Sequence, residues 1–253
     1  MSKLLDHPQG DYRFLPGIAP YSSGAVAKPG YEIVHVTLQN PPPYRQGFGL
    51  IGQHLTAQGR PRAALCAIQL RIPAALPFDG FAGFNRDYRA ILEDWDLLVD
   101  GLNPVARTNV APAVRPPAEP SLYAFSYTLP CADANPPLTF VVAGAGELAG
   151  ATLSAEQIVR VGETTEDAMR QKAAHVMGTM EARLHALGGT WSQVTAIDIY
   201  TVHPIHAFLA TTIMGSMGPA AMHGVHWFLS RPPIIDLDFE MDMRGIRKEI
   251  RLA

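Results

Sequence analysis

Val105-Ala-Arg-Thr-Asn-Val-Ala-Pro-Ala-Val-Arg-Pro-Pro117 is matched without a gap by Ala221-Met-His-Gly-Val-His-Trp-Phe-Leu-Ser-Arg-Pro-Pro233, with Arg115 over Arg231. Each Arg-Pro-Pro triplet precedes an alternating apolar run, and in the same register residues 122–127 fall on residues 238–243. Such a match within one chain indicates an internal duplication, so the sequence predicts two similar folding units.

The two copies keep different polar side chains at matching positions. Arg107 of the first copy corresponds to His223 of the second, and Ala124 of the first corresponds to Glu240 of the second. One copy therefore holds a guanidinium and the other a carboxylate. We expect both groups to converge on one composite cleft, because a shared site tolerates this division and two independent sites would not.

Composition and charge are typical of a globular protein. Of the 253 residues, 47% are hydrophobic and 17% charged, and the formal net charge is −3. Because no basic cluster is present, we do not expect nucleic acid as a partner. We expect neither a signal peptide nor a membrane span, since no apolar run is long enough. Cys66 and Cys131 have no partner motif, which favours free thiols and a cytoplasmic location.

The second half predicts the order strand, helix, strand, helix, strand, strand. Its clearest element is a helix that Thr164 or Thr165 caps and Gly188-Gly189 ends, with apolar residues at helical spacing between them. The other predicted elements are strands at 138–143, 194–202, 225–230 and 234–243, and a helix at 206–214.

The first half repeats this order more faintly, with strands at 31–37, 63–72, 109–114 and 121–128 and helices at 48–58 and 81–95. Pro130-Cys-Ala-Asp-Ala-Asn-Pro-Pro137 indicates a linker, because paired prolines resist both helix and strand. The sequence thus predicts an α+β fold of two tandem β-sheets, in residues 1–130 and 138–253, with helices packed on one face of each sheet.

Four segments carry motifs of a known family. Pro104-Val-Ala-Arg-Thr-Asn-Val110 resembles a Pro-Ala-Arg-Thr/Ser-x-Val strand, and Ala19-Pro-Tyr-Ser-Ser-Gly-Ala-Val26 resembles an N-terminal Pro-Tyr-Ser-Gln-Ala motif. Phe239-Glu-Met-Asp242 resembles a final Val-Glu-Ile-Glu strand, and Val141-Val-Ala-Gly144 a Val-Ser-Gly-Gln turn. In these features the chain resembles the RidA (YjgF) family of chorismate-mutase-like sheets, over nearly its whole length as two copies, although neither half holds every motif.

The resemblance implies a homo-oligomer, a trimer by preference, with ligand clefts between neighbouring sheets. It also implies the hydrolysis of enamines or imines made from amino acids. The family arginine corresponds to Arg107, which would bind a substrate carboxylate, and the family glutamate to Glu240, which would position or activate water. Tyr21 corresponds to the family tyrosine and would line the same cleft, to which Asn85 and Gly144 would also contribute. No cofactor is required, because an iminium ion is already electrophilic.

Each of these residues also has a purely structural interpretation. Arg107 could form an ion pair with a nearby acid, and Glu240 shares its alternation with acids that suit a solvated sheet face. Tyr21 and Asn85 are compatible with ordinary packing. His223, at the position of the arginine, would be a polar or titrating group of the cleft.

The histidines raise a metal site as a rival. His203-Pro-Ile-His206 and His223-Gly-Val-His226 are two His-x-x-His pairs in one half. Residues three apart on an extended strand point to opposite faces, and no helical His-Glu-x-x-His pattern is present, so we expect no metal.

These features predict a hydrolytic deaminase that acts on a small carboxylated enamine or imine, such as a 2-aminomuconate-like compound or a 2-iminoacid. Two other classes stay open: a chorismatase-like or other hydrolase on the same scaffold, and a non-catalytic protein that binds small metabolites.

Overall fold

The computed structural model describes residues 3–133, 136–150 and 154–253 as a two-sheet α+β fold. Its strands are β1 (Leu5–His7), β2 (Tyr12–Leu15), β3 (Gly24–Ala27), β4 (Tyr31–Leu38), β5 (Leu65–Arg71), β6 (Ala106–Pro112), β7 (Ser121–Pro130), β8 (Phe140–Gly146), β9 (Ala196–Tyr200), β10 (His226–Phe228), β11 (Ser230–Arg231), β12 (Glu240–Gly245) and β13 (Lys248–Leu252). Its α-helices are α1 (Tyr44–Ala57), α2 (Phe78–Asp94), α3 (Glu166–Ala186) and the single turn α4 (His206–Phe208).

The duplication is visible in the strand order. In the first sheet the order is β6-β5-β7-β4, and in the second it is β10-β9-β12-β8. In both, the second strand pairs in parallel with the first and antiparallel with the third, which pairs antiparallel with the fourth. The predicted α+β class and tandem duplication are therefore confirmed.

Each sheet is completed by strands from the other end of the chain. β1, β2 and β3 extend the second sheet beside β8, whereas β11 and β13 join the two edges of the first sheet. The predicted ranges 1–130 and 138–253 thus follow the two repeats along the sequence, while the sheets take strands from both. The predicted linker at 130–137 includes Ala134 and Asn135, which lie outside the described residues.

The register of the repeat agrees with the prediction at one position and differs at another. Ala124 pairs with Gln69 and Glu240 pairs with Tyr200, at matching places in the two sheets. Arg107, however, pairs with Ile68 of β5. Ile199 occupies the matching place in β9, and its partner is Trp227 rather than His223.

The prediction that His223 stands in the place of Arg107 is therefore wrong. Residues Gly218–His223 form a 3-10 helix, and Gly224 follows at φ 69°. β10 consequently starts only at His226, and the gap-free alignment is displaced by four residues.

The helices pack on the outer faces and a shared core lies between the sheets. Thr165 caps α3 by accepting a hydrogen bond from the Ala168 backbone N–H (3.3 Å), as predicted. α3 packs on the second sheet, and α1 and α2 pack on the first. A third apolar cluster, drawn from β2, β3, β4, β5, β6 and β8, joins the two sheets face to face. Within the described residues, no helix combines the length and apolar character needed to cross a membrane.

Three element predictions need correction. The helix predicted at 206–214 is only α4 followed by a π turn (Leu209–Ile213) and short 3-10 turns. The strand predicted at 234–243 begins at Glu240, because residues 234–239 form a turn and an irregular segment. β6 begins at Ala106, three residues before the predicted strand, and therefore includes Arg107.

Candidate active site

One cavity contains side chains from both halves of the chain. It lies where β6 of the first sheet approaches β8 and β12 of the second, and its volume is about 30 Å³. Arg107 and Glu240 both line it, together with Tyr21 and Gly144. The remaining lining residues are Phe81, Asn109, Gly146, Leu148, Pro233, Ile234 and Leu237.

Arg107 is buried without an acidic partner. Its residue exposure is 2%, and among the described residues no carboxylate lies within ion-pair distance of it. Nη2 donates to Asn85 Oδ1 at 2.6 Å, whereas no described residue supplies an acceptor for Nε or Nη1. Burial lowers the pKa of the guanidinium, and a charge buried without a counter-ion is costly. A bound carboxylate could accept a charge-assisted hydrogen bond from either of these two donors.

Aromatic rings from α2 and from the N-terminal segment surround this guanidinium. Its carbon lies 4.6 Å from the Tyr88 ring centroid and 4.9 Å from that of Tyr21, with Phe81 and Phe84 slightly farther away. Ring faces attract cations, so they offset part of the cost of burial. They also fix the orientation of the guanidinium, as does Asn85 from the same helix.

Asn109 is a site residue that the sequence did not identify. It is 3% exposed, lines the cavity, and has no hydrogen-bond partner for either Oδ1 or Nδ2. Alternation along β6 places it on the same face as Arg107, two residues away. That spacing was the only available sequence signal, since an asparagine in a strand has no functional implication by itself.

Glu240 is the first residue of β12 and is 4% exposed. Burial raises the pKa of its carboxyl well above the usual range, and the carboxylates of Asp242 and Glu147 raise it further. Arg107 and Arg183 act in the opposite direction but more weakly. These influences favour the protonated form of the side chain, which could donate a proton into the cavity.

A buried glutamate holds the segment that precedes Glu240. The Glu147 carboxylate accepts hydrogen bonds from the backbone N–H of Asp238 (2.6 Å) and Phe239 (3.1 Å). Lys172 of α3 forms ion pairs with both Glu147 and Asp238. These contacts fix the point where β12 begins, and hence the position of Glu240.

Gly144 lies against the carboxyl group of Glu240. A Cβ at this position would collide with Glu240 Oε1 and approach Thr108 Cγ2 at 3.0 Å. The Gly144 N–H donates to Thr108 Oγ1 at 3.1 Å, which ties β8 to β6 across the cavity. Only glycine leaves room here for the acid.

Tyr21 and His223 occupy very different places. Tyr21 is half-buried in the wall of the cavity, and burial raises the pKa of its hydroxyl, so that the group stays protonated. His223 is exposed at the end of its 3-10 helix and is absent from the cavity lining. His226 pairs with Asp198 at 2.8 Å, and in the described part of the chain no three His, Cys, Asp or Glu residues group as metal ligands.

Arg183 of α3 is the second site residue that the sequence did not identify. Its Nη1 donates to the backbone carbonyls of Ala143 (2.9 Å) and Gly144 (3.3 Å). Its charge acts on both Tyr21 and Glu240. In the sequence it is one of several charged residues of an amphipathic helix, a pattern typical of a solvated face.

A buried guanidinium and a buried carboxyl group of raised pKa in one cavity define a site for acid–base chemistry on a small anion. The family model described as 2-aminomuconate deaminase CnbZ matches residues 4–250, and the chain belongs to this family. A 2-amino-5-chloromuconate deaminase of Comamonas testosteroni is 38% identical over 241 residues, which are 95% of each protein. The prediction of a deaminase for a small carboxylated enamine or imine is confirmed.

Solved structures are more distant. A chorismatase is 14% identical with a TM-score of 0.46, over 88% of this chain and 77% of its own. The YjgF gene product from E. coli is 12% identical with a TM-score of 0.26, over 44% of this chain and 81% of its own. A Rid-family protein, YyfB from Yersinia pestis, is 18% identical with a TM-score of 0.29, over 42% and 78%.

Proposed function

We propose that the protein removes ammonia hydrolytically from 2-aminomuconate or a close analogue in the cavity between β6, β8 and β12. The observation that supports this most directly is the buried Arg107, whose Nε and Nη1 have no acceptor among the described residues. The substrate carboxylate next to the amino group would accept a hydrogen bond from one of these donors, and Asn85 would hold the guanidinium in place. Tyr21 would close the wall of the site.

Glu240 would serve as acid and then as base. As a neutral acid it donates its proton to the enamine carbon, which gives an iminium ion and a glutamate carboxylate. A water molecule then adds to the iminium carbon while the carboxylate takes its proton. Glu240 then protonates the amino group, ammonia leaves, and the carboxylate takes the remaining hydroxyl proton as the ketone forms. The sum is enamine plus water to ketone plus ammonia, with Glu240 restored.

Ammonia release tests this proposal. The protein is mixed with freshly generated 2-aminomuconate, and separately with a 2-iminoacid, and ammonia is measured against the rate without protein. We expect acceleration with 2-aminomuconate, and loss of that acceleration in Glu240→Gln. Binding of the carboxylates without any ammonia would instead identify a metabolite-binding protein and overturn the proposal.

We also propose a homotrimer in the cytoplasm as the working form. β10 is a free sheet edge, and the exposed apolar side chains Met222, Trp227 and Leu229 lie on or beside it. Exposed apolar groups of this kind are typical of subunit contacts. Cys66 and Cys131 are free thiols, as reducing compartments favour. Light scattering at the mass of one chain would contradict the trimer.

A further inference from the structure

Arg183 lies where the cavity adjoins an open groove on the surface. The groove lies between α3 and residues 15–23 and has a volume of about 650 Å³. Arg183 lines the groove and also bonds the carbonyl of Gly144, a residue that lines the cavity. A second contact of the same kind joins His175, in the groove, to the carbonyl of Leu148, in the cavity, at 3.0 Å. The cavity and the groove are therefore neighbours.

The guanidinium of Arg183 still has donors to offer. Only Nη1 makes hydrogen bonds, and across residues 3–133, 136–150 and 154–253 neither Nε nor Nη2 has an acceptor and no carboxylate forms an ion pair with it. Arg107 and Arg183 both act electrostatically on Glu240 and Tyr21, so the two guanidinium groups influence the same pair of side chains.

The size of the cavity limits what it can hold. A volume of about 30 Å³ accommodates water but not a six-carbon acid. We infer that Arg183 binds the second carboxylate of a dicarboxylate, which reaches from Arg107 in the cavity into the groove. This inference rests on the proposed function and adds to it a substrate class and a specificity-determining residue. The open groove also leaves room for a substituent at the far end of the substrate.

Two unreactive acids with the same carbon chain test the inference. Hexa-2,4-dienedioate has a carboxylate at each end, whereas hexa-2,4-dienoate has only one. By calorimetry we expect the protein to bind the dicarboxylate about 10- to 100-fold more tightly, as one additional charged hydrogen-bonded pair provides. Arg183→Gln should abolish this preference by weakening only the dicarboxylate, and Arg183→Lys should restore part of it.

Arg170→Gln is the matched control, because Arg170 lies exposed on the same helix and pairs with Asp167. It should leave the affinity for both acids unchanged. Equal loss of both acids in Arg183→Gln would mean that the side chain only shapes the wall at Gly144, and unchanged affinities would mean that it touches no ligand; either result overturns the inference. Failure of the proposed function would show separately, as absence of ammonia release from 2-aminomuconate by the unaltered protein.

Discussion

At the scale of single residues, Arg107 and Arg244 are both buried but differ in their partners. Arg244 forms ion pairs with Asp198 at 2.8 Å and with Glu249 at 3.0 Å. Among the described residues, Arg107 instead donates a hydrogen bond to Asn85 and contacts aromatic rings. A buried charge that lacks a counter-ion destabilises the fold, and proteins retain such groups where function requires them. Arg107 is therefore expected to favour binding at the expense of stability.

Arg107→Met tests this trade-off. It removes a desolvated charge while keeping an apolar stem, so we expect the free energy of unfolding to rise by about 1 kcal/mol. Loss of the fork should lower kcat/KM at least about 100-fold. Arg244→Met is the contrasting variant, because it removes an ion-pair partner of the buried Asp198, leaves that carboxylate with His226, and should lower stability by about 3 kcal/mol. Thermal or urea unfolding measures both, and destabilisation by Arg107→Met would show that this charge is structurally satisfied.

Glu240 gives a pH dependence with a defined sign. The acid form is the active one and its pKa is raised, so kcat/KM should fall as the pH rises through that raised value. The folded state holds this proton more tightly than the unfolded state, so Glu240 also makes stability fall as the pH rises from the ordinary pKa of a glutamate to the raised pKa. Glu240→Gln should flatten that part of the stability profile and lower turnover about 10²- to 10⁴-fold while binding is retained. A variant with unchanged turnover would exclude Glu240 as the acid.

Asp242 titrates beside Glu240 and serves as its control. Burial and the neighbouring Asp198 raise the pKa of Asp242 to about 7, and Tyr200 and Gln69 donate hydrogen bonds to it at 3.1 Å. Asp242→Asn should alter the pH dependence of stability near neutrality and keep a falling limb of kcat/KM, shifted to lower pH because the Asp242 carboxylate no longer raises the pKa of Glu240. Loss of that limb would assign it to Asp242 rather than to Glu240.

The sequence identified some of these residues and not others for a physical reason. Arg107 and Glu240 stand out because the repeat and the family motifs mark their strands. Asn109 and Arg183 are not singled out by the repeat or by the family motifs. Each has hydrogen-bonding atoms that lack a partner among the described residues, and only the folded chain shows this. The sequence could not predict that Arg107 lacks an acidic partner among the described residues, because it was equally compatible with an ion pair there.

At the scale of secondary-structure elements, Gly144 on β8 decides whether β6 and β12 can approach each other. Gly144→Ala would push a methyl group into the Glu240 carboxyl, so we expect a loss of about 1–3 kcal/mol in stability together with reduced turnover. Gly49 on α1 is the control, because a Cβ there meets no atom within 4 Å and Gly49→Ala should stabilise the helix by about 0.5–1 kcal/mol. Full activity in Gly144→Ala would show that the acid can move aside freely.

Long periodic elements were predictable and short irregular ones were not. α3 carries a cap, an apolar stripe and a glycine end, all of which act locally along the helix. The segment 206–223 has apolar residues but folds into short turns, because its packing against α3 and the second sheet determines its path. The start of β12 likewise depends on Glu147, which is remote in the sequence.

At the scale of the whole molecule, the two repeats are interlocked by short strands. β13 has five residues and pairs with β4, and β3 has four residues and pairs with β8, so each pairs with a strand from a distant part of the chain. Such strands carry almost no periodic signal, so the sequence predicted two repeats but not their exchange. Ion pairs reinforce the link: Glu32 on β4, which is 1% exposed, pairs with Arg247 at 2.8 Å and with Lys248 at 2.6 Å.

This exchange predicts that neither repeat is stable alone. A fragment of residues 1–130 would lack β13 and would expose β1, β2 and β3 without the second sheet, whereas a fragment of residues 138–253 would lack those three strands beside β8. Unpaired strands and half of a shared core leave too little buried surface for a cooperative fold. We expect neither fragment alone to show a cooperative thermal transition by circular dichroism. A mixture of both fragments should regain that transition. The mixture should also release ammonia, because Arg107 and Glu240 come from different fragments. Cooperative unfolding of either fragment by itself would mean that the predicted ranges 1–130 and 138–253 are independent domains and that the exchanged strands are not required for folding.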